Sequence, residues 1–385
     1  MRVYLDNAAT TPIHEDVIKA MAEAMQHNFG NPSSIHSEGR IARATVEAAR
    51  KTVANLLGAS IGEIFFTSGG TESNNMALKC AHRDLGVKRF LTTTSEHHCV
   101  LHSLQALQKE DEEVVVEYLT IDEKGRIDMA ELEQKLQAST TKSMLSLMHS
   151  NNEIGTMIDL EAIAALCAEH GVYFHSDTVQ TVGYFPINLS KTNISFLSGA
   201  SHKFHGPKGV GFIYINNDNL IRPYIDGGSQ ERNMRGGTEN IYGIVGLEKA
   251  LEIACGGMAE HRQHMEGLRQ YMKDQLQEHF EDVQINGNED GQHHYKVLSV
   301  SFPPSPKSDL LLLNLDIAGI SASGGSACSS GAEQGSHVLE ALQLDPDRKT
   351  IRFSFSPYNS REEIDFVINK MKSMLPLKQL ADKQS

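Results

Sequence analysis

The chain has 385 residues, and its 49 acidic side chains against 35 Lys and Arg give a formal charge of −14. That length holds two or three domains of ordinary size and buries a core without covalent staples. The acidic balance excludes non-specific nucleic-acid or membrane-surface binding, though not a local patch for a tRNA or a basic protein.

Residues 4–11, YLDNAATT, read as extended, and Pro12 opens a helix with Ile13, Val17, Ala20, Met21 and Ala24 at helical spacing. The start has no apolar signal-peptide core, and no apolar run approaches the ~18 residues of a membrane span. Asn31-Pro32-Ser33-Ser34 is a turn, and 41–57 is a long amphipathic helix closed by Gly58. A strand over 63–66 leads into 67–75, TSGGTESNN, which runs into a helix. Small residues there let the backbone approach an anion, and the helix start offers free amides, so this is the mechanics of a phosphate cradle. No Walker lysine follows, and the Gly-Gly pair alone fits a plain strand-to-helix turn as well.

Strands are expected over 89–93, 114–118, 144–148, 172–175, 194–197 and 210–215, with helices beginning near His98, Met129, Leu160 and Thr238. That alternation implies a mostly parallel sheet covered on both faces, with ligands at the carboxyl ends of its strands. The candidate residues fall there: 67–71, 96–98, Asn151 and Asn152, Asp177, and Lys203. Gly256-Gly257 marks a boundary. Beyond it come a polar helix over 259–280, a strand over 297–302, a helix over 309–318, a loop over 321–335, a helix over 337–342, a strand over 350–355 and a helix over 361–374. Two strands and several helices make a second, smaller α/β domain, and the polar tail from Lys378 frays.

Several stretches carry chemistry. In 172–180, VYFHSDTVQ, period two places His175 and Asp177 on one face. A His-x-Asp metal pair lacks a third ligand, whereas a carboxylate ending a buried strand suits a cationic ring nitrogen. In 198–214, SGASHKFHGPKGVGFIY, Lys203 sits on a short bend between apolar strands, where burial favours an amine nucleophile. Lys208 competes for that role, and a solvated loop lysine is the plainer reading of the segment alone. In IRFS, Arg352 ends a strand and offers a fork for a carboxylate. Among five cysteines, odd in number and without a C-x-x-C pair, Cys328 stands in SASGGSACSSG, 321–331, where access and mobility suit a reactive thiol. Cys80, Cys99, Cys167 and Cys255 read as packing, and the set as a whole reads as reduced and cytoplasmic. His98 reads as a bystander of His97, and His293-His294 as surface.

Together SHKFHGPKGVGFIY, HSDTVQ, FTSGGTESNN, SEHHCV, MHSNNEIGT, GGSQERNMRGGTEN and SASGGSACSSG resemble the cysteine desulfurases, class-V aminotransferase enzymes. The matching segments run from Tyr4 to Pro357. The resemblance implies an α/β fold of the PLP-dependent transferase type (aminotransferase fold type I). A large cofactor-binding domain with a mostly parallel sheet would span 13–256. A small domain would comprise 1–12 and 257–385, with the N-terminal arm packed on it. It implies pyridoxal 5'-phosphate held by Lys203. Gly70, Thr71 and His202 would contact the phosphate, His97 would stack on the ring as acid/base, and Asn152 would lie near ring and substrate carboxylate. Asp177 would pair with the ring nitrogen and Gln180 with the phenolic oxygen. Thr238 would reach the phosphate of the other subunit of a homodimer, Arg352 would grip the substrate carboxylate, and Cys328 would accept sulfur. One position departs: the serine expected three residues before the lysine is Ala200, with Ser201 the nearest hydroxyl.

The implied reaction converts L-cysteine to L-alanine and leaves a persulfide on Cys328 for a sulfur-acceptor partner, an iron-sulfur scaffold or a tRNA-thiolation enzyme. No metal, membrane or direct nucleic-acid contact is expected. A selenocysteine lyase shares every motif. A sulfur-carrier or scaffold-binding protein with an idle cofactor site is the alternative of another class, and the joint presence of Lys203, His97 and Cys328 argues against it.

Overall fold

The computed structural model describes residues 1–138, 141–306, 308, 310–324 and 335–378. The chain opens with β1 (Val3–Tyr4), α1 (Glu15–His27) and α2 (Ser37–Leu57). Helix α2 stops at Gly58, whose left-handed φ of 66° is the cap a glycine accepts without strain. Next come β2 (Ile64–Thr67), α3 (Gly70–Leu85), β3 (Arg89–Thr92), α4 (His98–Glu110) and β4 (Val115–Tyr118). They are followed by α5 (Met129–Gln137), β5 (Ser143–Met148), α6 (Leu160–Glu169), β6 (Tyr173–Asp177), β7 (Phe196–Ala200) and β8 (Gly211–Ile215).

These strands form a seven-stranded sheet in the order β2-β8-β7-β6-β5-β3-β4. Every pairing from β7 to β4 is parallel, and β8 runs antiparallel to both neighbours. Strands β5, β7 and β8 are buried at every position, as a sheet covered by helices on both faces demands. The expected mostly parallel α/β sheet is what the chain builds.

The remainder holds α7 (Gln230–Asn233), α8 (Ile241–Gly256), α9 (Met258–His279), β9 (Gln284–Asn286) and β10 (Val297–Phe302). It ends with α10 (Leu311–Ile317), β11 (Ile320–Ser321), α11 (His337–Ala341), β12 (Lys349–Ser354) and α12 (Arg361–Met371). Strands β12, β10 and β9 form an antiparallel sheet, and β1 returns across the chain to pair with β11. Asp6 also bridges to Ser354, so the N-terminal arm is fastened to the C-terminal third.

Three differences from the sequence expectations bear on the site. Strand β7 runs two residues later than its apolar run, ending at Ala200, just before the lysine bend. Helix α8 begins at Ile241, which leaves Thr238 in the preceding loop. His294 is fully buried, with Nε2 2.7 Å from the Gln180 carbonyl, so only His293 of that pair keeps a surface character.

Candidate active site

A cavity of about 330 Å3 opens at the carboxyl ends of β5, β6 and β7. Strand β7 ends at Ala200, and one tight turn, Ser201–Lys203, sets Lys203 into the cavity wall. Its Nζ donates to the carbonyls of Ala8 and Ala9 at 2.7 and 2.9 Å, so the N-terminal arm closes one side. The Tyr184 hydroxyl donates to the Lys203 carbonyl at 2.7 Å and fixes the bend from behind. Lys208 lies apart. It lines a neighbouring groove of about 420 Å3 with Ser68, Gly69 and Gly209, not the cavity.

Asp177 is the last residue of β6 and faces the cavity. Its Oδ1 accepts the Val179 N–H at 3.0 Å and its Oδ2 accepts Asn74 Nδ2 at 2.7 Å. Asn74 also meets His175, whose Nε2 lies 3.1 Å from Asn74 Oδ1, so His175 and Asp177 do share one face of the strand. Burial pushes the His175 imidazole down to about 4, and Ser146 Oγ lies 2.8 Å from its other nitrogen. The ring is therefore neutral, with a partner on each nitrogen.

His97 caps α4, its Nδ1 accepting the Cys99 N–H at 3.2 Å, and burial lowers its pKa. Cys99 Sγ lies 3.0 Å from the same nitrogen and lines the cavity, so Cys99 meets the site as well as packing against the apolar cluster its sequence context suggests. Burial pushes that thiol up to about 12, so it stays protonated. His98, read as a bystander, lines the mouth with its ring 4.2 Å from that of His337. Beneath His97, both Glu96 carboxylate oxygens accept the Met148 N–H, and burial pushes this carboxyl up to about 8.

The anion end is built by the start of α3. Gly69 takes φ 150°, a conformation side chains disfavour, and a Cβ on Gly70 would come within 2.6 Å of Val179 Cγ2. Gly70, Thr71 and His202 line the cavity there. His202 Nδ1 lies 3.1 Å from Thr10 Oγ1, and burial pushes the imidazole down to about 4. The structure does not bring Ser201 to this end. Ala200 lines the wall, while the buried Ser201 Oγ sits where a Cβ on Gly206 would stand, 1.9 Å away. Nor does it bring Thr238, which lines a separate cavity of about 210 Å3 with Glu239 and Asn240.

At the opposite end Arg352, on β12, is 1% exposed. Its Nη1 donates to the Asn152 carbonyl at 2.9 Å and its Nη2 to Asp6 Oδ1 at 2.8 Å. Four buried polar atoms of cavity residues lack a partner among the described residues, Ser150 Oγ, Gln180 Oε1, His337 Nδ1 and Arg352 Nε, although Gln180 Nε2 donates to the Ala8 carbonyl at 2.9 Å. Buried polar groups are ordinarily paired, so these atoms mark a site built for a polar guest. A helix start for an anion, a carboxylate beneath, an amine beside it and a guanidinium opposite fit a phosphorylated pyridine aldehyde joined to an amino acid. Cys328 lies outside the described residues. On its N-terminal flank Ser323 donates to Asp6 Oδ1 at 2.8 Å, and on its C-terminal flank Ser336 donates to Glu153 at 2.5 Å. Asp6 holds Arg352, and Glu153 lines the cavity.

Sequence reasoning missed Asn74, Cys99, Tyr184 and the carbonyls of Ala8 and Ala9. Asn74 sits in the quoted TSGGTESNN, so a signal existed, but its partners are distant in sequence.

The family model for class-V aminotransferases matches residues 3–367. The chain is 40% identical to the cysteine desulfurase IscS of Dictyoglomus turgidum, over 98% of this chain and 97% of that protein. It is 38% identical to the IscS-like cysteine desulfurase of Mycobacterium tuberculosis, over 94% of this chain and 93% of that protein. Among solved structures, a NifS-like protein superposes with a TM-score of 0.89 at 36% identity, covering 97% of this chain and 99% of the other. SspA in complex with cysteine superposes at 0.79 with 30% identity, covering 94% and 100%.

Proposed function

Since the chain belongs to the class-V aminotransferases and is a cysteine desulfurase among them, we propose that the cavity around Lys203 binds pyridoxal 5'-phosphate and L-cysteine and passes the sulfur to Cys328. The observation that carries this reading is the convergence of Lys203, Asp177, His97, Gln180, Asn152 and Arg352, drawn from distant parts of the chain, on one cavity.

When bound, the cofactor supplies an electron sink for the substrate carbon that loses its proton. Lys203 Nζ anchors it and carries that proton. The Asp177 carboxylate would hold a proton on the ring nitrogen, and Gln180 would bond the phenolic oxygen. His97, whose pKa burial lowers, would stack on the ring as acid/base. Gly70, Thr71 and His202 receive the phosphate at the start of α3, where amides and the helix dipole favour an anion. Ser201 joins them only if its hydroxyl turns away from Gly206. Arg352 keeps unused N–H groups beyond its bonds to Asn152 and Asp6, and with Asn152 it fixes the substrate carboxylate. The Cys328 thiolate attacks the substrate sulfur: a sulfur–sulfur bond forms and the carbon–sulfur bond breaks, its electron pair staying with the substrate carbon, stabilised by the electron sink, until His97 helps supply a proton and alanine leaves.

The working unit is a homodimer in which Thr238 completes the phosphate site of the partner. Its absence from the lining of its own chain's cavity supports that reading, as does the run of exposed apolar side chains on and between α1 and α2, where Ile35 is 90% and Phe29 71% exposed. Residues 13–256 form the large domain, and 1–12 with 257–385 the small one, a division supported by the two main sheets and by the pairing of β1 with β11. The setting is cytoplasmic, supported by the free thiols of Cys80, Cys99, Cys167 and Cys255. No helix among the described residues is long and apolar enough to cross a membrane. The acceptor is an iron-sulfur scaffold or a tRNA-thiolation enzyme.

The test is turnover with L-cysteine: alanine and protein-bound sulfur should form in equal amounts, with the sulfur on the Cys328 peptide by mass spectrometry. Turnover of selenocysteine alone, or sulfur mapping to another cysteine, overturns the reading.

A further inference from the structure

Asn74 is a buried residue of the cavity wall, and its side chain touches three functional groups at once. The donor and acceptor inventory of these groups leaves one direction for every bond. An ionised Asp177 only accepts, so the Asn74 amide presents its NH2 to Asp177 Oδ2, at 2.7 Å, and to Cys99 Sγ, at 3.2 Å. Asn74 Oδ1 then faces His175 and must accept, so the His175 proton is on Nε2, 3.1 Å away. His175 Nδ1 accepts from the Ser146 hydroxyl at 2.8 Å. At the other end His97 Nδ1 accepts the Cys99 N–H at 3.2 Å and so carries no proton, which makes the Cys99 thiol the donor in the 3.0 Å contact between Sγ and that nitrogen. His97 is left with its proton on Nε2.

We propose that Asn74 is a positioning residue that couples Asp177 to His97: through one amide it aims the Asp177 carboxylate at the cofactor ring and, through the Cys99 thiol, braces His97 in the Nε2–H form that the Cys99 N–H selects. The proposal rests on the assignment of Asp177 to the ring nitrogen and deepens it. Asn74 touches neither substrate nor cofactor in this scheme and acts through its two partners.

The test uses the holoenzyme. In the unmodified protein, histidine 15N shifts should report His97 and His175 both as Nε2–H tautomers at neutral pH, and an Nδ1–H form of either ring overturns the chain of bonds. Asn74→Asp replaces the NH2 with an acceptor beside Asp177, so two carboxylates must share a proton. The visible absorption of the bound cofactor should then titrate with a midpoint moved by about one pH unit or more. Asn74→Ala should move it in the same sense by less. Cys99→Ala should leave that midpoint in place while shifting the limb of the pH–kcat profile that belongs to His97, and Cys99→Ser should restore it. Wild-type spectra and pH profiles in both Asn74 variants overturn the proposal. Asp177→Asn is run beside them: if it too leaves the spectrum unchanged, the assignment of Asp177 has failed, whereas a changed spectrum there with unchanged Asn74 variants sinks the coupling alone.

Discussion

At the scale of single residues, the two lysines of the 198–214 segment separate by position. Lys203 Nζ lies among the carbonyls of Ala8 and Ala9 in the cavity, and Lys208 lines the groove outside it. Only a side chain in the cavity can be joined to the cofactor, so Lys203→Ala should lose both the visible absorption of the holoenzyme and alanine formation, while Lys208→Ala keeps both. A third lysine gives a prediction about stability. Lys296 is fully buried, with Nζ 4.0 Å from the Tyr184 ring centre and 3.5 Å from the Lys203 carbonyl. Burial, then the charges of Lys203 and Arg352, hold its pKa well below the ordinary 10.5 in the folded chain. Between that lowered value and 10.5 the unfolded chain binds the extra proton, so this group makes stability rise with pH across the window. Lys296→Met removes the effect. The variant should melt several degrees above wild type at neutral pH, and the gap should close as pH nears 10.5. A gap that stays constant or widens toward alkaline pH contradicts a neutral buried amine.

Among the elements, the short turn at α7 is held by a buried charge pair. Glu231, Arg232 and Asn233 all have positive φ, at 45°, 53° and 64°, which costs energy for residues with side chains. The strain is offset where Glu231 meets Arg50 of α2 through two bonds, at 2.6 and 2.9 Å, and accepts the Phe66 N–H of β2 at 2.7 Å. Both side chains are nearly inaccessible, at 2% and 3%. Arg50→Met leaves the carboxylate buried and unpaired, which costs about 3–5 kcal/mol, and denaturant melts should show a loss of that size. A loss under about 1 kcal/mol would mean the pair is a surface-like contact. Most elements were legible because their periodicity is strong, from α2 with its glycine cap to the all-buried strands. Strand β7 was displaced because its second half is Ser198, Gly199 and Ala200, small residues that carry no apolar signal. They are small for a reason found only in three dimensions: a Cβ on Gly199 would meet the Phe212 ring of β8 at 2.3 Å. Strand β9 escaped notice because QIN is too short to show alternation. Buried His294 was hidden in a polar stretch because its partner, the Gln180 carbonyl, is distant in sequence.

For the whole molecule, sequence and structure inform different halves of the site. The cavity's chemistry was legible as motifs, and the fold explains why residues 8–9, 74, 97, 177, 203 and 352 meet. The departure at Ala200 was legible too, but not its consequence, since only the packing against Gly206 shows where the Ser201 hydroxyl goes. Cys328 is known from sequence alone. Thr238 is the residue that a single chain leaves unexplained. It stands in the loop before α8, beside Glu239 and Asn240, with Gly237 at φ 106° just before it, and it does not line the cavity of its own chain. Ile18 and Met25 on α1, Ile41 on α2, and Phe29 and Ile35 between them meanwhile expose apolar side chains. The two-fold dimer proposed above would account for both, because an isologous interface buries the same patch twice and can exchange the same loop twice. In that arrangement the Thr238→Ala and Lys203→Ala lesions fall on the same site of a mixed dimer. One of its sites combines Lys203→Ala with the partner's altered loop, and the other is intact. Each pure variant should be impaired, and the Lys203→Ala protein inactive. After subunit exchange, proved by mass spectrometry of differently tagged chains, a one-to-one mixture holds about half mixed dimers by random pairing. Activity should then rise to roughly a quarter of the wild-type value, one intact site in each mixed dimer. No gain in a fully exchanged mixture would return Thr238 to a role within its own chain.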